Sequence, residues 1–302
     1  MNPAIRIGID LGGTKTEIAA FATNGATLLR RREPTPSGDY EATLALIATL
    51  VDDAERQLRA TATIGLGTPG ALSPATGVMR NSNSTCLNQR PLKADLQRRL
   101  GREVRLANDA NCFSLSEAVD GAAAGAASVF GVILGTGVGG GIVIGGKVID
   151  GPNAITGEWG HNPLPWPTDD ERPGDACYCG KHGCIETFLS GPGLTRDHAR
   201  SCGETLAAAE IAARSVNDPP DPRAAQTMTR YEERLARALA SIINVLDPEV
   251  IVLGGGLSNI ERLYTNVPAL WGKWVFSDAV RTRLARNRHG DSSGVRGAAW
   301  LW

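Results

Sequence analysis

Residues 7–21, I-G-I-D-L-G-G-T-K-T-E-I-A-A-F, decide how this chain is read. Apolar β-formers lead in, Gly12 and Gly13 make a turn, and a second apolar run leads out. The segment therefore reads as a hairpin and not as a strand running into a helix. The same form returns at residues 132–146, V-I-L-G-T-G-V-G-G-G-I-V-I-G-G. Glycine lets backbone N–H groups approach an anion closely and tolerates positive φ. Two such turns predict two jaws around a polyphosphate, which points to a nucleotide-using enzyme; the plainer alternative is that the glycines only shape tight turns. Asp10, at the end of the first strand, is placed to hold Mg²⁺ through water beside the phosphates.

The second stretch contains a decoy. Gly135 to Gly140 matches G-x-G-x-x-G, but that dinucleotide fingerprint must open a helix. Here strand-like residues follow, so the Rossmann reading fails its context test. No G-x-x-x-x-G-K-[ST] occurs either, which excludes a P-loop.

Around the two hairpins the chain alternates strands and helices. Strands are predicted at 4–10, 16–22 and 26–32, a helix at 39–58 and a strand at 63–67. An irregular polar stretch at 68–92 leads to a strand near 104–107 and a helix over 110–124. A second unit starts at residue 128 with the second hairpin. Residues 146–184, rich in Gly, Pro, Cys and His, are too long for a mere connection and read as a functional insertion. Helices are predicted at 204–216 and 222–246, then the buried strand E-V-I-V-L-G-G-G, a helix, a strand near 280–286 and a short C-terminal helix. The repeat predicts two related α/β domains with a cleft between them, and clefts between domains are common ligand sites.

Composition narrows the function classes. The chain has 302 residues, 42% of them hydrophobic and 21% charged, with a net charge of −1. No basic field calls for nucleic acid. No apolar run of about 18 residues predicts a membrane span, and no signal-peptide pattern opens the chain. The expectation is a cytoplasmic protein with neither membrane nor nucleic-acid partners.

Of six cysteines, Cys177, Cys179 and Cys184 fall within eight residues. In a reducing compartment such a cluster marks a metal site more than a disulfide framework. Three thiolates and one imidazole suit a closed, structural Zn²⁺ site. His182 inside the knuckle and His161 before it are both candidates for the fourth ligand. Asp109 stands where a strand meets a helix, so it reads either as a helix cap or as a general base. Lys15 could neutralise phosphate charge or simply lie on the surface.

Taken in order, D-L-G-G-T-K (10–15), N-D-A-N (108–111), G-T-G-V-G-G-G (135–141), G-E-W-G-H (157–161) and C-Y-C-G-K-H-G-C-I-E (177–186) resemble the ROK family of bacterial sugar kinases and repressors, within the actin-like ATPase superfamily. The resemblance covers essentially the whole chain. More narrowly, R-L-A-N-D-A-N-C (105–112), G-E-W-G-H-N-P-L-P-W (157–166) and the C-terminal H-G-D-S-S-G-V-R-G-A-A-W-L-W resemble the fructokinase (mannofructokinase) branch, with the N-acetylglucosamine kinases as close neighbours.

The resemblance implies two actin-like (RNase H-like) α/β domains with a nucleotide and sugar cleft between them and a zinc-bound loop. The domains would be 1–118, joined by the C-terminal helix 290–302, and 119–289 with the zinc-binding insertion 157–186. It makes Asp109 the base and His161, with Cys177, Cys179 and Cys184, the zinc ligands. If one nitrogen of His161 binds zinc, the other carries hydrogen and can donate to a sugar hydroxyl. Glu158 and Glu186 would accept hydroxyls at the anomeric end of the sugar. Gly70, Asn81, Asn83 and Asn108 are further sugar contacts. Gly12, Gly13, Thr14 and Lys15 would form one phosphate turn, and Gly135, Thr136, Gly137 and Gly139 the other. Gly254, Gly255 and Gly256 would lie under the adenosine.

The function implied is an ATP- and Mg²⁺-dependent transfer to the 6-hydroxyl of a hexose, D-fructose first and mannose also, by a homodimer. The alternatives are an N-acetylglucosamine, N-acetylmannosamine or glucose kinase, and a non-catalytic sugar-sensing regulator. The family's repressors carry a helix-turn-helix before the first glycine turn, and only nine residues precede Asp10.

Overall fold

The computed structural model describes residues 5–302, so residue 4 of the expected first strand lies outside the described residues. The chain divides into two compact units. One comprises the residues up to Gly125 with Gly141–Thr156 and Arg288–Trp302; the other comprises Ala126–Gly140 and Gly157–Asn287.

In the first unit β1 (Ile5–Leu11), β2 (Lys15–Ala22) and β3 (Thr27–Pro34) form an antiparallel meander, with Ile9 opposite Ile18 and Leu11 opposite Thr16. The helix α1 (Tyr40–Leu58) crosses to β4 (Thr63–Thr68), which pairs parallel with β1. A small ribbon of β5 (Ala71–Leu72) and β6 (Met79–Arg80) and the helix α2 (Leu92–Leu100) precede β7 (Val104–Asn108), parallel to β4. The sheet order is β3-β2-β1-β4-β7. The sequence of α1 explains its limits. Asp39 caps it by accepting the Ala42 N–H at 2.9 Å, and Arg59 closes it in the left-handed conformation. Leu44, Ile47, Leu50, Val51 and Ala54 recur at helical spacing and are buried. Each large apolar side chain stabilises by about 1.5–3 kcal/mol, and the cap by about 1 kcal/mol.

The helix expected over 110–124 is α3 (Asp109–Val119). It stops early because the buried Glu117 carboxylate draws the Ala122 N–H to itself at 2.9 Å. The same carboxylate accepts the Arg288 and His289 N–H groups and the Ser293 hydroxyl. It thereby ties the C-terminal segment to α3.

The second sheet repeats the plan of the first. It contains β8 (Ser128–Leu134), β9 (Val138–Ile144), β10 (Lys147–Val148), β11 (Val250–Gly254) and β12 (Arg283–Arg286), in the order β10-β9-β8-β11-β12. Strands β8, β11 and β12 run parallel. Five helices accompany it: α4 (Ile185–Leu189), α5 (Gly191–Cys202), α6 (Ala208–Arg214), α7 (Pro222–Leu246) and α8 (Leu263–Trp271).

The helix expected over 204–216 is shorter, and α2, α4 and α5 fill stretches to which the sequence reading assigned no element. Helix α7 is locked to the insertion by an ion cluster. Glu171, 6% exposed, accepts from Arg234 at 2.7 Å and from Arg237 at 2.7 and 2.9 Å. Burial alone would raise the Glu171 carboxyl, but Arg237, Arg234 and the Thr168 N–H outweigh it and bring it down to about 2.

The last helix, α9 (Ser293–Ala299), belongs to the first unit. A Cβ on Gly8 would overlap the Val295 carbonyl, one on Gly65 the Ala298 carbonyl, and one on Gly297 the Cys112 carbonyl. Backbone therefore rests directly on backbone, which only glycine permits. No described helix is long and apolar enough to cross a membrane.

Candidate functional site

In the first unit the strand ends carry the chemistry. Asn108 ends β7 and caps α3, its Oδ1 accepting the Ala110 N–H at 2.8 Å while its Nδ2 donates to the Gly70 carbonyl at 3.1 Å. Asp109 is the first residue of the helix, and its Oδ1 shares the Ala110 N–H at 2.8 Å. Asn108 occupies the N-cap position, and both side chains meet that first free N–H. Asp10, at the end of β1, is raised to about 6 by burial first, then by the charges of Asp109 and Glu17, against the pull of Lys15 and Arg32.

The first glycine turn is braced from β3. Thr35 donates its hydroxyl to the Gly12 carbonyl at 2.8 Å and its N–H to Thr14 at 3.0 Å. Gly13, Thr14 and Lys15 stay exposed. Gly13, Thr35, Asn83 and Ser84 line one cavity of about 170 Å³, so Asn83 is brought to the first turn. Asn81 holds a left-handed φ of 57° in the same loop and is exposed.

The second turn belongs to the other unit. Gly135 N donates to the Gly137 carbonyl at 3.0 Å, and the Gly135 carbonyl accepts from Gly191 N at 2.8 Å. Gly135, Thr136 and Gly256 line one groove of about 1040 Å³, whose walls are largely α5, α6 and residues 257–262. Gly254 ends the buried strand β11. Gly255 needs its φ of 80° and its missing side chain because the Leu134 backbone lies directly beneath it. Gly137 and Gly139 lie beyond that groove, beside Glu186 and Trp159.

His161, Cys177, Cys179 and Cys184 converge, with all four donor atoms within 4.8 Å of one another. Cys177 Sγ lies 3.5 Å from His161 Nδ1, and Cys179 Sγ lies 3.6 Å from Cys184 Sγ. Tetrahedral zinc, with bonds of about 2.3 Å to sulfur and ~2.0–2.1 Å to nitrogen, places ligand atoms ~3.5–3.8 Å apart. The donor set could therefore hold zinc. His182, the rival ligand, is exposed and bridges to Ala176.

With Nδ1 turned to the cluster, Nε2 of His161 meets the Tyr178 hydroxyl at 2.9 Å. Although Tyr178 is 83% exposed, partial desolvation at its hydroxyl and then the charges of Glu186 and Glu158 push that hydroxyl up to about 12.

The model of the ROK family matches residues 6–302. The chain belongs to the ROK family. Among ROK proteins, an N-acetyl-D-glucosamine kinase of Vibrio vulnificus is 41% identical over 298 residues, spanning 97% of this chain and 98% of that protein. The crystal structure of the ROK hexokinase from Thermus thermophilus matches with a TM-score of 0.86 and 32% identity, covering 98% of this chain and 97% of that one. A ROK family glucokinase from Streptomyces griseus, solved with glucose and AMPPNP, matches with a TM-score of 0.76 and 26% identity, covering 98% of both chains. The two α/β units are thus of the actin-like ATPase type. These relatives do not support the narrower resemblance to fructokinases; they support the alternative, the N-acetylglucosamine kinases.

Sequence reasoning missed several residues of this ROK site. Thr35 carries no motif, and only its contacts show that it braces the first turn. Tyr178 sits between Cys177 and Cys179, where the cysteine spacing says nothing of the residue between them. Ala208, Ala212 and Val216 line the groove from helix positions that look ordinary in sequence.

Proposed function

We propose that this ROK protein is an ATP-dependent sugar kinase that phosphorylates the 6-hydroxyl of N-acetyl-D-glucosamine. The reaction class rests above all on Asp109, a carboxylate at the first position of α3, just past the end of β7 and next to the N-cap Asn108. The acceptor rests on the 41% identity to an N-acetyl-D-glucosamine kinase over nearly the full length of both proteins. That likeness outweighs the motif resemblance that favoured D-fructose.

In this reading Asp109 accepts the O6 proton as O6 bonds to the γ-phosphorus and the bond to the β–γ bridging oxygen breaks, releasing ADP. Gly12, Gly13, Thr14 and Lys15 form one glycine turn and Gly135, Thr136, Gly137 and Gly139 a second, and each turn presents N–H groups suited to phosphate oxygens. The groove lined by Gly256 and walled by α5 and α6 takes the adenosine, with Gly254 and Gly255 leading into Gly256 from β11. Asp10 holds Mg²⁺ through water, and the ion, when bound, offsets the charge of the transferred group.

Glu158, Glu186 and the Nε2–H of His161 meet sugar hydroxyls, and Gly70, Asn83 and Asn108 meet others. Binding of His161 Nδ1 to zinc would fix the tautomer that leaves Nε2 a donor. The zinc is structural, since four protein ligands close the site.

The test is ATP consumption coupled to ADP detection, with Mg²⁺ and a panel of N-acetylglucosamine, N-acetylmannosamine, glucose, mannose and fructose. Turnover led by N-acetylglucosamine is expected. Fructose in the lead would restore the fructokinase assignment, and no turnover with any sugar would sink the kinase reading.

A further inference from the structure

Residues 137–140, the end of the second turn and the start of β9, are gripped from two sides by the segments that carry the His/Cys cluster. On one side Glu186, two residues after Cys184, accepts the Val138 N–H on Oε2 at 2.9 Å. It packs so tightly that a Cβ on Gly137 would collide with the same oxygen. On the other side the indole N–H of Trp159, two residues before His161, donates to the Gly139 carbonyl at 3.0 Å. Next to it, a Cβ on Gly160 would overlap the Val138 carbonyl. Trp159 is 3% exposed, and its ring meets Phe130 of β8 edge-on at 5.6 Å.

These holds serve neither the metal nor the β-ladder. We propose that the His/Cys cluster is a positioning device for the second glycine turn, acting through Glu186 and Trp159. Drawing His161 and Cys184 to one point fixes the residues that flank them, and those residues set the direction of the turn's N–H groups. The inference rests on the kinase reading in one respect, that this turn receives phosphate.

Glu186 can serve the turn and a sugar together. An ionised carboxylate offers about four acceptor positions. Oε2 uses one on Val138, while Oε1 faces the Cys177 Sγ at 4.0 Å. A sugar hydroxyl can therefore be accepted without releasing the turn, so both substrates would share one carboxylate. Glu186 is in this sense a positioning residue for the nucleotide as well as a sugar contact.

The test uses the full chain without sugar, so that lost sugar binding cannot confuse it. Two quantities are measured: hydrogen exchange at the Val138 amide, and the affinity for AMPPNP by calorimetry. In Glu186→Ala the amide should exchange at least about tenfold faster and AMPPNP should bind about tenfold more weakly, the scale of a hydrogen bond to a charged group. Glu186→Gln, whose amide oxygen can still accept, should recover most of both. Trp159→Phe, which keeps the ring, should fall between, and stripping the metal from wild type should mimic Glu186→Ala.

Unchanged exchange at Val138 in Glu186→Ala would overturn the proposal, as would AMPPNP affinity that is equal or tighter. Failure of the kinase reading would look different. Wild type would then bind no AMPPNP even with saturating N-acetylglucosamine, and the nucleotide role would fall with it, whatever the exchange showed.

Discussion

Asp109 and Asp10 lie in the same unit, each next to the end of a strand, in different surroundings. In sequence, Asp109 is legible as a carboxylate at a strand end, but cap and base readings put the same residue types at the same place. In the structure Asn108 is the N-cap of α3, and Asp109 Oδ1 shares the same Ala110 N–H. Asp109→Asn preserves shape and removes the proton acceptor. We expect kcat to fall by about 10²–10⁴-fold with sugar affinity within a few-fold of wild type, measured by steady-state kinetics and calorimetry. An active variant would end the assignment. Asp10 is raised from 3.8 to about 6, burial being the main cause. Its protonated form is favoured in the fold, so its contribution to stability is fullest below pH 3.8 and is lost as pH rises through about 6. Asp10→Asn removes that penalty. Without Mg²⁺, its Tm should exceed that of wild type at pH 7.5, by at most ~3 kcal/mol in stability, and the two should converge at pH 4. An equal Tm at both pH values would remove the burial account.

At the scale of elements, what is legible depends on whether the cause is local. The two glycine hairpins, α1 and α7 follow from period, caps and β-formers, all of which lie inside each segment. Helix α5 does not. It opens with Gly191-Pro192-Gly193, which reads as a turn, and becomes helical because Ser190 accepts the Gly193 N–H and Leu194 and His198 find a buried face. The α5 wall of the groove at Gly256 was hidden for that reason. Likewise nothing local announces that Gly8 and Gly65 are the floor for α9. The Glu171 cluster is also non-local, since its partner Arg237 lies 66 residues away. Glu171 is brought from 4.5 to about 2, chiefly by Arg237 and Arg234 working against burial. The stability it confers is present above pH 4.5 and drains as pH falls through about 2. Glu171→Gln should therefore cost about 3–5 kcal/mol at pH 7, with the gap to wild type narrowing steadily below pH 4.5 in urea titrations. A gap independent of pH would mean that packing, not charge, carries the effect.

For the whole molecule, the His/Cys cluster lets one small feature govern a large part of the chain. The knuckle C-x-C-x₄-C is legible at once, but the fourth ligand is not, because His182 lies nearer in sequence and only folding brings His161 in. The protein should carry about one zinc per chain, as four protein ligands imply. His161→Ala should lose it, with at least a tenfold drop in affinity by competition with a chromogenic chelator, whereas His182→Ala should keep it. Equal loss in both variants would reopen the ligand set. Because a closed structural site contributes folding free energy directly, removing the metal should deprotect residues 157–190 and the second turn in hydrogen exchange before it touches β1, β2 and β4. This order follows from where the ligands lie, since all four belong to the second unit, while the first unit is held by its own sheet and by α9. Even loss across both units would show that metal and fold are linked globally, and no loss at all would strip the cluster of its structural role.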